Sequence, residues 1–406
     1  MEKIVITGLG CVCPLGLDAP SFWTNLIEGK SGIAPIEKLD MTGLRNPSGG
    51  EVRGFDWSRY GEEGDCDEAS QFAFAAAHEA VADAHLLASD LNHAGVVFST
   101  NFGGAASWEF ACEEADSISA DMSTHATAKA VDAELFRQFT PEHAMDYTAD
   151  RLEMNGPRTT LTNACSSGGN ALGLACDWLR LGRCDIVLAG GHDGLGLSSL
   201  AGLSILRTIS PDECRPFDLS RNGTIFGEGA GILVLETESS ARRRNAKIYA
   251  ELAGWAVNNN AYHLTAPDKE GAGLRSVMRA ALRNATVQAD EVDYINAHGT
   301  GTQYNDLAET QAIHSVLGER ARDVPVSSIK AATSHTMAAA GALEAIATVR
   351  ALGEGILPPT INYQTPDPQC DLDYVPNLAR EANVKIALSN SSGIGGNNAC
   401  LVLRAV

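Results

Sequence analysis

An α/β layered fold of two matching halves, each with a mixed sheet, is predicted by three observations. Apolar strand-like runs alternate with amphipathic helical stretches, the pattern occurs twice along the chain, and each half closes on a pair of adjacent apolar strands. In the first half, Lys3 to Gly8 reads as a buried strand, followed by Ala94 to Thr100 and by the run Thr159-Thr160-Leu161-Thr162 that leads to Cys165. A helix over about 166–181 carries Leu172, Leu174, Trp178 and Leu179 on its apolar side. The closing pair is Asp185 to Ala189 with Ile232 to Leu235. The second half repeats the plan. Its strands are Lys247 to Leu252, Val292 to His298 and Val326 to Lys330, its helix over about 336–352 carries Leu343, Ile346, Val349 and Leu352, and Lys385 to Leu388 pairs with Cys400 to Leu403. The halves divide as 1–245 and 246–406, at the basic cluster Arg242-Arg243-Arg244. The stretch over about 102–156 is a lobe inserted in the first half.

At 406 residues the chain can bury a large core. Its ten cysteines include no Cys-x-x-Cys pair, which argues against a disulfide scaffold or zinc site and for a reducing, cytoplasmic setting. Met1 to Gly8 turns polar before a signal-peptide core could form, and no apolar run approaches the length of a membrane span. A net charge of −21 disfavours nucleic acid as a partner and bears on any partner that is itself acidic. Gly8-Leu9-Gly10 lacks the third glycine of a dinucleotide loop, Cys13 standing in its place. Glu62, Glu63, Asp65, Asp67 and Glu68 form the one notable charge run.

Cys165 opens the helical stretch Ser166 to Leu172, where free N–H groups and the positive end of a helix favour a thiolate. Three other segments put titratable residues or glycines at strand ends, where α/β folds build sites. They are His298 in Asn296 to Thr302, Lys330 with His335, and the glycine loop Ser392 to Asn398. In the duplicated plan Cys165 and His335 hold equivalent places and face one another. His192, His263 and the remaining histidines carry no such context and are read as structural.

These motifs, with Ala338 to Gly341 and with Arg215-Pro216-Phe217-Asp218 running into Phe226 to Gly231, resemble those of decarboxylating, elongating β-ketoacyl-acyl-carrier-protein synthases over nearly the whole chain. The resemblance implies a thiolase-type fold of two α-β-α-β-α layered halves with five-stranded mixed sheets, in a dimer whose sheets run on across the interface. It implies that Cys165 takes the acyl chain from an acyl carrier protein, with the N–H groups of Cys165 and Ile394 as oxyanion hole. Neutral His298 and His335 would hold the enolate left by loss of carbon dioxide from a malonyl thioester. Lys330 would order the histidines, paired with Glu344. Thr300 and Thr302 would bind the phosphopantetheine arm, Gly393, Ile394, Gly395 and Gly396 would line the acyl site, and Arg207 is a candidate contact for the carrier. No metal or resident cofactor is implied.

Two departures from that family stand out. Its glycine loop usually reads Asn-Ser-Phe-Gly-Phe-Gly-Gly, whereas Asn390 to Gly396 places Ser392 and Ile394 at the phenylalanine positions, which implies an altered acyl specificity. The acidic run stands where relatives often carry basic residues, so the carrier docks elsewhere or a second, non-identical subunit takes part. A homodimer and a heterodimer with a chain-length-factor-like subunit both remain open. So do a thiolase-fold acyltransferase and a non-catalytic partner subunit, although the latter lacks a nucleophile and Cys165 is present.

Overall fold

The computed structural model describes residues 2–104, 109 and 137–406. Its main sheet contains β1 (Ile4–Val12), β2 (Gly95–Ser99), β3 (Arg158–Leu161), β4 (Ile186–Asp193) and β5 (Gly229–Thr237) from the first half. The second half supplies β6 (Ala250–Asn259), β7 (Tyr294–Asn296), β8 (Val326–Ser327), β9 (Ile386–Gly393) and β10 (Asn397–Arg404). The hydrogen-bonded order is β8-β7-β9-β10-β6-β1-β5-β4-β2-β3. Read outward from the β6/β1 junction, the halves run β6-β10-β9-β7-β8 and β1-β5-β4-β2-β3, the same path traced twice. In each, the outer three strands are parallel and the rest antiparallel. The two predicted five-stranded sheets are joined, because Val5 pairs with Glu251 and Ile6 with Ala250.

Strand periodicity sorts side chains onto opposite faces. On β5, Ile232 and Val234 face Phe72 and Ala76 of α1 (Glu68–Asp83), while Leu233 and Leu235 face the central layer. On β10, Leu401 and Leu403 face that same layer, while Cys400 and Val402 face Val277 and Met278 of α3 (Ala272–Ala285). The central layer is α2 (Ser167–Arg180) and α5 (Ala340–Glu354), and α4 (Gln303–Leu317) lies beside α3 on the outside. The order is therefore helix, sheet, helix, sheet, helix.

Several local expectations change. β6 begins at Ala250 rather than Lys247, whose ammonium instead lies 4.0 Å from the centre of the Tyr249 ring. β8 stops at Ser327 because the Ser328 hydroxyl donates to Gly299 O at 2.6 Å and accepts from the Lys330 N–H at 3.3 Å, turning the chain into the short helix Lys330–Thr333. Lys330 thus starts a helix rather than ending a strand. Residues 337–339 form a 3₁₀ turn before α5. Gly8 and Gly10 serve packing: a Cβ at Gly10 would lie 2.7 Å from the backbone nitrogen of Ala80 in α1. The acidic run is smaller on the surface than its sequence implies. Asp67 is buried and caps α1 by accepting from the Ser70 N–H at 3.1 Å, and Glu68 pairs with Lys38. Most of the expected lobe over 102–156 lies outside the described residues. Its described part includes the helix His143–Arg151, which packs on α1. Among the described residues no helix is long and apolar enough to cross a membrane.

α2 and α5 approach with no room for side chains. A Cβ at Gly168 would sit 2.6 Å from Ala338 O and 2.9 Å from Ala342 N, and one at Gly341 would sit 2.7 Å from Gly169 N. The blocking atoms are backbone, so they cannot swing aside. Gly341→Val is expected to destabilise the protein by about 1–3 kcal/mol, seen as a lower denaturant midpoint. An unchanged midpoint would show that the helices can separate freely.

Candidate active site

The strand β3 ends at Leu161, and the chain reaches α2 through Ala164, a non-glycine residue at φ 52°. His335 is flanked by comparable conformations, Ser334 at φ 65° and Met337 at φ 54°. Such backbone persists only where its surroundings over-determine it. Around Ser334 they do, since Gly50 and Gly227 both lack a side chain where its hydroxyl packs. Cys165 and His335 thus precede the two helices that meet at their glycines.

Cys165, His298 and His335 line one cavity of about 110 Å³, with Phe226, Thr300, Thr302, Ser392, Gly393, Ile394 and Gly396 also in its wall. The His298 and His335 rings are 5.4 Å apart, edge to face, and Phe226 stacks on His335 at 5.3 Å. Both imidazoles have a defined tautomer. Lys330 Nζ donates to His298 Nδ1 at 3.2 Å, and the Met337 N–H donates to His335 Nδ1 at 3.3 Å. With each Nδ1 occupied as an acceptor, the proton of each neutral ring sits on Nε2. Burial holds both rings well below the usual histidine pKa, the charge of Lys330 adds to this, and for His298 so does the neighbouring His335. They are neutral donors at pH 7.

Lys330 is itself buried, and its three N–H bonds are fully used. Besides His298 Nδ1 it donates to His298 O at 2.6 Å and to the Glu344 carboxylate. Burial raises Glu344 to about 7 against the pull of Lys330. The predicted pair is present, and it anchors one histidine directly.

The thiol differs from its sequence expectation. Burial pushes Cys165 up to about 11, outweighing the charge of Lys330 and hydrogen bonds from the N–H groups of Ile394 and Cys165, while Asp193 adds to the rise. Desolvation beats the helix end, so the resting group is a thiol and not a thiolate. The same two N–H groups lie near the sulfur, where an oxyanion on an attached carbonyl would need donors.

Thr300 and Thr302 lie on the cavity wall and bond each other, Oγ1 to Oγ1, at 2.9 Å. Gly395 does not line the cavity as expected. Its N–H is taken by Leu264 O at 2.9 Å. Arg207 is exposed and precedes Thr208, which lines the cavity. Sequence reasoning missed Glu309 and Asp193. Buried Glu309 accepts from the N–H groups of His298 at 3.0 Å and Gly299 at 2.9 Å, and burial raises it to about 7. Buried Asp193 links the Thr100 hydroxyl at 2.6 Å to the Ala338 N–H at 2.8 Å, tying β4 to the turn after His335. His192, read as structural, is buried at the end of β4 and its ring nitrogens have no partner among the described residues. Among the described residues no cluster of three or more His, Cys, Asp or Glu is arranged to hold a metal, and the nine cysteines are unpaired.

Family models for the N-terminal and C-terminal domains of beta-ketoacyl synthases match residues 1–241 and 249–364. Nodulation protein E of Rhizobium meliloti (strain 1021) is 39% identical over 412 residues, covering 100% of both chains. The 3-oxoacyl-[acyl-carrier-protein] synthase 2 of Synechocystis sp. is 37% identical over 415 residues, covering 99% of this chain and 98% of its own. Among solved structures, the ishigamide ketosynthase/chain length factor matches with a TM-score of 0.94 at 37% identity, over 100% of this chain and 99% of that one. A type II polyketide synthase acyl-carrier protein in complex with its ketosynthase, bound to the hexaketide, matches with a TM-score of 0.92 at 35% identity, covering 100% of both chains.

The raised thiol has a direct consequence. Alkylation of Cys165 by iodoacetamide is expected to quicken by about tenfold per pH unit from pH 7 to 10, following the thiolate fraction. A rate already level by pH 8 would contradict a buried, protonated thiol.

Proposed function

We propose, for a chain that belongs to the β-ketoacyl synthase family and has its thiolase-type fold, that Cys165, His298, His335 and Lys330 divide the work of one condensing site. The chain is a condensing enzyme, an acyltransferase that forms carbon–carbon bonds by decarboxylative Claisen condensation, in fatty-acid or polyketide biosynthesis. One observation carries the division of labour. Two neutral imidazoles present Nε2–H donors to the cavity that holds a thiol flanked by two backbone N–H groups.

In the first step Cys165 Sγ attacks the thioester carbonyl of an acyl group on an acyl carrier protein. The oxyanion is held by the N–H groups of Cys165 and Ile394, and the thiol proton ends on the departing phosphopantetheine sulfur. A malonyl thioester then enters, with Thr300 and Thr302 against its phosphopantetheine arm. Loss of carbon dioxide leaves an enolate whose oxygen accepts from His298 and His335. Because both rings are neutral, they polarise the oxygen without quenching the enolate by giving it a full proton. The enolate carbon attacks the acyl carbonyl and expels Cys165 as thiolate. With a thiol pKa of about 11 that sulfur takes a proton from solvent and resets. Lys330, paired with Glu344, orients His298 and keeps it neutral. Substrates arrive on the carrier's arm, and the chemistry calls for no metal or resident cofactor.

Arg207, exposed next to the wall residue Thr208, is the proposed carrier contact. The outer edge of β3 pairs with no strand among the described residues, which supports assembly there with a second copy or with a homologous chain-length-factor-like subunit. Native mass spectrometry of the protein co-expressed with its genomic neighbours distinguishes the two. We place the protein in the cytoplasm, with no nucleic acid or membrane partner, and the boundary between its halves at 245/246.

Ile394 adjoins Cys165 in the wall and is smaller than the aromatic side chain usual in the family, which supports an altered acyl range. Incubation with a panel of acyl-pantetheines is expected to add one acyl group to the wild type and none to Cys165→Ala, by intact mass. In Ile394→Phe the ranking of acyl groups is expected to change. Acylation that survives Cys165→Ala would overturn the nucleophile, and identical rankings would overturn the role of Ile394.

A further inference from the structure

The geometry points to Ser392 as a positioning residue that, through Asn398, holds the Ile394 N–H in place over Cys165. This inference rests on the reading of that N–H as an oxyanion donor. β9 and β10 stay paired up to Gly393 and Asn397, so Ile394, Gly395 and Gly396 form a three-residue hairpin tip, with both of the latter at positive φ, 89° and 81°. In the rung below, Ser392 faces Asn398 across the ladder, and its hydroxyl donates to Asn398 Oδ1 at 2.9 Å. That bond commits the other end of the amide. Asn398 Nδ2 donates to Asn260 Oδ1 at 2.7 Å and Asn258 Oδ1 at 2.9 Å, both on or next to the end of β6, and to Gly396 O in the tip at 3.1 Å.

The tip is therefore tied to β6 by amides, while the Ile394 side chain packs against the apolar core. Asn259 Nδ2 holds Gly395 O at 2.8 Å, and the Asn260 N–H holds Gly396 O at 2.8 Å. Asn398 is only 2% exposed, so its Oδ1 needs a donor from the protein or from a cavity water. Ser392 supplies that donor. A phenylalanine in its place would have none. The Ile394 N–H has to lie within a few tenths of an ångström of its working position to serve an oxyanion. Loosening the amide cluster moves it while leaving Cys165, the histidines and Lys330 untouched.

The test uses the full chain, with hexanoyl-pantetheine as acyl donor and intact mass as readout, alongside hydrogen–deuterium exchange of the amides of residues 393–397. Ser392→Ala is expected to slow acylation of Cys165 by roughly tenfold with unchanged half-saturation, and to speed exchange at the tip. Ser392→Thr, which keeps the hydroxyl, is expected to restore both. Wild-type acylation in Ser392→Ala, or unaltered exchange at 393–397, overturns the inference. A wild type that takes no hexanoyl group at Cys165 would instead overturn the proposed nucleophile, and tip exchange in the two variants would then decide the role of Ser392 alone.

Discussion

The site depends on a contact in which two helices meet backbone to backbone. α2 and α5 hold equivalent places in the two halves, and they touch through Gly168 and Gly341, where any Cβ would collide with main-chain atoms. Everything reactive follows from that approach. Cys165 lies just before α2 and His335 just before the turn into α5, so bringing the helix starts together brings the thiol and the imidazole into one cavity. Asp193 fastens the arrangement by accepting from the Ala338 N–H, the residue whose carbonyl packs against Gly168. A duplicated chain thereby builds one asymmetric site from two similar halves.

Within the cavity, desolvation decides the protonation states. Lys330 is a cation close to Cys165 and would by itself favour a thiolate, yet burial wins and the thiol stays protonated. At the histidines the two effects agree, since burial and Lys330 both oppose a second proton. The outcome is a cavity whose thiol and two imidazoles carry no standing charge. The cost of keeping Lys330 inside is offset by its use of all three N–H bonds and by its pairing with Glu344.

Much of this was legible in the chain. Cys165, His298, Lys330 and His335 stand in motifs rich in glycine, alanine and threonine, and the duplication was visible because β-strand and helix periodicities recur in the same order. Other features were not. Glu309 and Asp193 act by accepting from backbone N–H groups, a role that any isolated carboxylate could hold and that no spacing announces. The thiol was misread because the helix-end effect can be inferred locally, whereas burial of Cys165 comes from loops distant in the chain, around Phe226, His335 and Ile394. The strand expected to reach Lys330 stops early because one serine hydroxyl captures the backbone, a competition too local for periodicity to register. The continuous ten-stranded sheet hinges on two residue pairs between β1 and β6, which apolar patterning cannot specify.

The central claim is that the thiol and the imidazoles have separable duties, one holding the acyl group and the other generating the carbon nucleophile. The most direct measurement is release of carbon dioxide from a malonyl thioester by Cys165→Gln, in parallel with assay of condensation. Abolished condensation with decarboxylation still measurable is the predicted result, because His298, His335 and Lys330 remain in place. Loss of both reactions together would contradict the division.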